Sequence, residues 1–347
     1  MRVIKMTIKM ETATGISVKL ESKKILITGG AGFIGSHLAQ RCLCDGASVT
    51  VIDDLSTGRR ANMAEFVRHP RFKFHKRSVT DERFVGGLIA KSDLIYHLAA
   101  AVGVDLIIKQ PVRTIETNVY GTNIVLREAA RNGVPTVLAS SSEVYGKNAK
   151  TPFAEGDDML LGPTTHSRWS YAASKAVDEF LALAYHKQDK LPVTVLRFFN
   201  IVGPRQIGDY GMVLPRFVSA ALAGEPLRVF GSGRQTRCFL DVADLVDILM
   251  KIPFKKRAAG CVFNVGGERP TTINALAKKV VARLKSNSEI VRVPYEQAYE
   301  KGFEDLRARV PDLQALRALM PFEPRVSLGE TIDRLADRQR LEVSVVK

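Results

Sequence analysis

The sequence predicts an α/β fold, a doubly wound parallel sheet completed by a smaller C-terminal lobe interleaved with it. Three features of the 347 residues carry that expectation. Short, continuous apolar runs bounded by Gly, Asp or Ser recur through the first 200 residues, helical stretches separate them, and after Asn200 the texture turns rich in Gly, Pro and Arg. Runs that are apolar throughout, rather than alternating, belong to strands covered on both faces, and regular strand–helix alternation sets such strands parallel.

The strand candidates are KKILITGG (23–30), ASVTVIDD (47–54), SDLIYHLAA (92–100), TVLASSS (136–142) and PVTVLRF (192–198). Between them IGSHLAQRCLCDG, TIETNVYGTNIVLREAARNG and YAASKAVDEFLALAYHKQDK repeat apolar residues at spacings of three and four, and the first two close on a glycine, the usual helix stop. Residues 23–200 therefore form the expected first domain. Residues 201–237 and 265–341 form the second lobe, and the chain re-enters the first domain at about 238–264. There FLDVADLVDILMKI predicts a helix capped by Asp241, and CVFNVGG predicts a further strand. The opening MRVIKMTIKMETATGISVKL is basic and mildly apolar but holds no uninterrupted apolar core ahead of a small-residue cleavage site, so residues 1–22 read as an N-terminal extension.

Hydrophobic residues make up 46% of the chain, enough for a substantial core, while the formal charge of +15 creates a positive field suited to anions. The basic residues are scattered, with no aromatic-interleaved stripe and no helix-turn-helix pattern, which argues against a nucleic-acid partner. No apolar run approaches the roughly 20 residues that span a bilayer, so no membrane association is expected. The four cysteines, Cys42, Cys44, Cys238 and Cys261, show neither a CxxC pair nor a disulfide framework; they read as reduced thiols of a cytoplasmic protein without a metal site.

Where the first strand meets the first helix, GGAGFIGSHL sets Gly29, Gly32 and Gly35 three apart. A turn this tight needs residues without a Cβ, and it points the helix N-terminus, through Phe33 and Ile34, at a pyrophosphate. Asp53 and Asp54 end the second strand, where a carboxylate binds the adenosine ribose hydroxyls and repels a 2′-phosphate. The expected cofactor is NAD on a Rossmann fold, although Arg59 and Arg60 lie nearby. In YAASK, Tyr171 and Lys175 stand four apart on one helix face, so the ammonium pulls the phenol pKa down and suits it to act as a general base. Ser141, at a strand end, is placed to hydrogen-bond the same hydroxyl. Tyr and Lys at this spacing are common on any helix; the glycine loop in the same chain gives the pair its meaning.

Together TGGAGFIGSHL, HLAA, TNVYGTN, SSSEVYG, YAASK, RFFNIVGPR, GEPLRVFGSGRQTRCF, FNVGG and RARVPDL resemble, in order, the extended short-chain dehydrogenase/reductase family of nucleotide-sugar enzymes, from Lys23 to about Leu341. The resemblance implies an NAD that oxidises the sugar C4 hydroxyl, with Leu98, Ala99, Ala100 and Asn118 added to the cofactor contacts. It also implies a homodimer through helices near 114–132 and 169–187. Three outcomes of C4 oxidation stay open: 4-epimerisation, 4,6-dehydration, and decarboxylation of a uronate that has become a β-keto acid. SSSE, with Glu143 and with Ser142 where glucose dehydratases carry Asp, is similar to the UDP-glucuronate decarboxylases, as is RWSY around Trp169. Arg237 and Arg309 match family substrate arginines, and Asn200 and Arg228 join Ser142 and Glu143 in the expected substrate site. Two departures are Ser78, where relatives place an acidic residue before an aliphatic one near adenine, and Phe303, where the polymyxin-type enzyme has Tyr. The expectation is UDP-glucuronate decarboxylation to UDP-xylose or a UDP-4-keto-pentose. Epimerase and dehydratase stand as alternatives, and a non-catalytic NAD-binding regulator stands outside the class.

Overall fold

The computed structural model describes residues 20–101, 110–208, 212–298 and 308–346. Seven strands form the central sheet: β1 (Lys24–Thr28), β2 (Ser48–Asp53), β3 (Phe72–Lys76), β4 (Leu94–His97), β5 (Thr136–Ser141), β6 (Val193–Phe198) and β7 (Cys261–Val265). Their spatial order is β7-β6-β5-β4-β1-β2-β3, and every neighbouring pair is parallel. The order reverses between β1 and β4, and such a reversal opens a crevice at the carboxyl ends of the strands.

Pleat parity separates the two cores. Ile25, Ile27, Val49 and Val51 face α1 (Phe33–Cys44), whereas Leu26, Ile52, Val193 and Val195 face the opposite core with α2 (Glu82–Ile89), α3 (Gly121–Asn132) and α4 (Arg168–Asp189). Gly133, at φ 62°, ends α3 in the left-handed conformation that a side chain resists.

A third core belongs to the lobe formed by α5 (Val213–Ala223), α7 (Ile273–Leu284) and α8 (Leu328–Val346), packed around Leu214, Phe217, Val218, Leu276, Val280, Ile332 and Leu335. Between the lobe's segments the chain returns to the sheet. Asp241 caps α6 (Val242–Lys251) by accepting the Ala243 N–H at 2.8 Å, α6 packs on α1, and β7 pairs with β6. Within the lobe, Thr236–Cys238 pairs antiparallel with Pro270–Thr272 and parallel with Ala308–Arg309, which brings Arg237 into register with Arg309.

Two features depart from the sequence reading. β3 was not anticipated: it pairs only with β2 and carries half-exposed polar residues, so its apolar signal is weak. Of the expected extension only residues 20–22 are described, and Leu20 is fully buried in the α1 core rather than trailing free. Phe303 lies outside the described residues.

β6, α4 and β5 are joined beneath the crevice by a buried ion pair. Arg197 donates to Glu179 through Nε at 3.0 and 3.2 Å and Nη2 at 2.7 Å; Ser140 donates to the same carboxylate at 2.5 Å. Removing one member leaves a charge in the interior, so Arg197→Met is expected to lose about 3–5 kcal/mol of unfolding free energy in a denaturant titration. A loss under about 1 kcal/mol, the worth of an exposed pair, would contradict this.

Candidate functional site

A cleft of about 490 Å³ lies between the sheet's carboxyl edge and the lobe. On the sheet side β1 breaks at Gly29, whose φ is +70°, and a Cβ there would sit 2.7 Å from the Ala99 nitrogen. A Cβ on Gly35 would lie 2.4 Å from the Gly29 oxygen and 2.7 Å from the Gly30 Cα. The glycines thus let the turn fold flat against the start of α1, and Gly32, Phe33 and Ile34 open directly onto the cleft. At the end of β2, Asp53 accepts the Ala31 N–H at 3.0 Å and the Leu55 N–H at 2.8 Å, leaving acceptor positions for ribose hydroxyls. Burial raises its pKa, opposed by those backbone donors. Asp54, Leu98, Ala99 and Ala100 line the same half. A Cβ-free cradle, a free helix N-terminus and a diol-binding carboxylate are what a dinucleotide requires, so these residues fit NAD. Ser78 also lines this half, with its hydroxyl engaged by Thr80 at 2.8 Å in a turn.

Facing this half, α4 carries Tyr171 and Lys175, both buried and both lining the cleft. Ser141 ends β5; its oxygen accepts the Glu143 N–H at 3.2 Å, and its hydroxyl acts on the Tyr171 phenol in the direction that favours the phenolate. Burial nevertheless outweighs the pull of Lys175 and leaves the Tyr171 phenol above its ordinary value, opposite to the direction expected from the Tyr–Lys spacing alone.

Beyond Tyr171, the turn Ser142–Tyr145 raises Glu143 into an arginine pole. Arg309 Nη2 meets Glu143 Oε1 at 2.5 Å, and Arg168 Nη2 stands 3.6 Å from Oε2. Burial alone would raise the Glu143 carboxyl; Arg309 and then Arg168 override it and hold the group below the usual carboxylate range. Ser142, Asn200 and Arg237 line the cleft as well.

Two of the residues expected at the site do not line this cleft. Arg228 is exposed on Leu227–Phe230 and does not line the cleft. Asn118 is buried behind it: its side chain receives the Ala101 N–H at 2.8 Å and donates to Ser174 at 3.0 Å, so it braces the cofactor loop from outside. Sequence reasoning missed Arg168, although it is adjacent to the Trp169 that was singled out and stacks on it, with its guanidinium 5.2 Å from the ring centroid. It also missed Asp178, whose carboxylate meets Lys175 Nζ at 3.0 Å. Only the three-residue spacing on α4 signalled that second pair.

Residues 25–266 match the NAD dependent epimerase/dehydratase family. A UDP-N-acetyl-alpha-D-glucosaminuronate decarboxylase of Bacillus cytotoxicus is 41% identical over 315 residues, covering 89% of this chain and 97% of its own. UDP-glucuronic acid decarboxylase 6 of Arabidopsis thaliana is 36% identical over 335 residues, covering 93% of this chain and 91% of its own. Among solved structures, the UDP-glucuronic acid 4-epimerase of Bacillus cereus in complex with UDP-glucuronic acid and NAD superposes with a TM-score of 0.80 at 26% identity, covering 92% of this chain and 99% of that one.

Two outcomes follow from the geometry. Gly35→Ala forces the loop apart and is expected to weaken NADH binding, followed by nucleotide fluorescence, by about tenfold or more, or roughly 1.4 kcal/mol. Arg309→Met removes the strongest influence holding Glu143 ionised, so the ¹³C-carboxyl titration of Glu143 is expected to shift to higher pH.

Proposed function

The chain belongs to the NAD dependent epimerase/dehydratase family, an enzyme family of the extended short-chain dehydrogenase/reductase class, and from that premise we propose that it decarboxylates a UDP-linked uronic acid, UDP-glucuronate first. The observation that carries the reading is the pole of Arg309 and Arg168 around Glu143, beside Ser141 and Tyr171. 4-Epimerisation of a neutral hexose makes no use of such a pole. Dehydration needs a protonated acid for the departing C6 hydroxyl, and Glu143 is held ionised while its neighbour Ser142 is no acid. A C6 carboxylate, by contrast, calls for guanidinium partners with several donors in fixed geometry.

Bound NAD supplies the hydride acceptor that makes the C4 alcohol a ketone. Tyr171 takes the C4 hydroxyl proton, and the Lys175 charge stabilises the phenolate that receives it. With a ketone at C4 the uronate is a β-keto acid. Its C5–C6 bond breaks, the electron pair moves onto O4, and carbon dioxide leaves; Ser141 and Tyr171 hold the enolate oxygen. Arg309 and Arg168 orient the carboxylate across the ring, and Glu143 crowds it with like charge, favouring the state in which that charge has moved to O4. Being ionised, Glu143 orients the water that protonates C5 rather than giving up a proton itself. Asn200 and Arg237 receive the nucleotide end in the lobe, beside Arg216, whose guanidinium lies 4.2 Å from the Phe230 ring centroid.

We assign residues 23–200 and about 238–264 to cofactor binding and the remaining lobe segments to the substrate nucleotide. The working unit is a homodimer: Val112, Ile115, Tyr120, Val177 and Phe180 are exposed on α4 and the helical turns before α3. Isologous pairing of this face would bury them. A cytoplasmic setting agrees with four free thiols, and no helix among the described residues is long and apolar enough to cross a membrane.

Incubation with UDP-glucuronate, and in parallel with its 2-acetamido analogue, is expected to release carbon dioxide and to lower the nucleotide-sugar mass accordingly. Unchanged mass with inverted C4 would make the protein an epimerase instead. Glu143→Gln is expected to lower the decarboxylation rate roughly 10²–10³-fold while bound NAD is retained. Phe180→Glu should convert the dimer to a monomer in sedimentation; an unchanged sedimentation coefficient would place the subunit contact elsewhere.

A further inference from the structure

Asp178 occupies the next turn of α4 below Lys175, and its side chain is fully enclosed. Its Oδ2 accepts a hydrogen bond from Lys175 Nζ at 3.0 Å, forming an ion pair with almost no solvent contact. The other carboxylate oxygen, Oδ1, is buried without a hydrogen-bond partner, and a hydrogen-bonded chain from β1 and β4 ends near it at Thr122. The Ala99 N–H donates to Thr28 Oγ1 at 3.2 Å, and Thr28 Oγ1 is hydrogen-bonded to His97 Nδ1 at 2.7 Å. Burial and the nearby Lys175 charge depress His97 to about 3, so the ring is neutral, and its Nε2 is hydrogen-bonded to Thr122 Oγ1 at 3.0 Å. Burial raises the Asp178 carboxyl, opposed first by Lys175 and then by Thr122. The chain begins at Ala99, on the cofactor side of the cleft, and ends under the base.

We propose that Asp178 is a positioning residue for the Tyr171–Lys175 pair, a buried counter-charge that fixes the Lys175 amine and its positive charge below the phenol. The proposal rests on the reading of Tyr171 and Lys175 as the base of the reaction. A lysine enclosed without a partner discards its proton, and a neutral amine has no hold on a phenolate. Here burial would lower Lys175, yet Asp178 and then Tyr171 bring it above its ordinary value. The other charged groups packed around the pair are committed elsewhere. Glu179 on α4 is bound by Arg197 of β6, and Glu143 is bound by Arg309 and Arg168. His97 of β4 is neutral, and the buried polar side chain nearest on the turn before α3, Asn118, bonds Ser174.

The test reads the two protons directly, without substrate, so it stands or falls apart from the decarboxylation assay. In the unaltered protein labelled with ε-¹³C-lysine, the Lys175 resonance, identified by its loss in Lys175→Met, is expected to stay that of an ammonium past the free-lysine value of about 10.4. Titration below that value overturns the proposal, and this measurement needs no Asp178 variant to fold. In Asp178→Asn the enclosed Lys175 amine has lost its counter-charge, so its ε-¹³C titration is expected to move to lower pH than in the unaltered protein. The tyrosinate absorbance step assigned to Tyr171 by its absence in Tyr171→Phe is expected to move to higher pH, because a neutral amine no longer holds the phenolate. A folded Asp178→Asn protein whose Tyr171 step does not move would show that the carboxylate only fills space.

Discussion

The groups proposed to react stand on three different segments, and one interaction relates them: the buried pair of Arg197 and Glu179. Glu179 lies on α4, two turns beyond Tyr171; Arg197 lies on β6; and Ser140, which donates to the same carboxylate, precedes Ser141 on β5. Arg197 also donates to the Glu155 carbonyl at 3.0 Å, and its guanidinium lies 4.7 Å from the Tyr145 ring centroid, so the turn holding Glu143 is braced from below. A pair of this kind gives back much of its Coulomb energy in desolvation. Its value here is geometric: the phenol, the serine hydroxyl and the glutamate keep fixed separations because their supports share one salt bridge.

Charge in the cleft is divided between two poles. At the base, Asp178 balances Lys175; at the sugar end, a single Glu143 faces two arginines. The second pole keeps an excess of positive charge. Arg59, Arg77, Arg205, Arg216 and Arg237 add further guanidiniums around the cleft wall. A low-dielectric cleft in which positive side chains outnumber Asp53, Asp54 and Glu143 concentrates anions, which gives part of the +15 formal charge a place to act. Composition alone left nucleic acid, membrane and small anion equally served by that charge.

What was legible in the sequence followed from periodicity and from turns. The five strand windows and the glycine cradle stood out because a buried parallel strand is apolar throughout and a tight βα turn must be glycine-rich. β3 did not, because an edge strand with one neighbour has little apolar content to show. Arg228 was assigned to the cleft from its neighbours in sequence, and the strand turns that side chain to solvent instead. Asn118 stands beside the cofactor loop, but a motif fixes a position and not the direction in which a side chain points. The pairings that set protonation, Glu143 with Arg168 and Lys175 with Asp178, form only when the chain is folded. The rise in the Tyr171 pKa comes from enclosure, which no local spacing encodes.

The register that sets Arg309 beside Arg237 joins two parts of the lobe far apart in the chain, on short strands that hold few backbone hydrogen bonds. Two like charges side by side on adjacent strands repel, and the Glu143 carboxylate against Arg309 offsets part of that repulsion. A molecule bearing a phosphate at one arginine and a carboxylate near the other turns that repulsion into attraction at both ends. Anything that binds the lobe with these strands paired stabilises that pairing by RT ln(1 + [L]/Kd) as the cleft fills. On the reading proposed above, the two arginines would meet the two ends of one ligand, and a nucleotide without its sugar would engage only one of them.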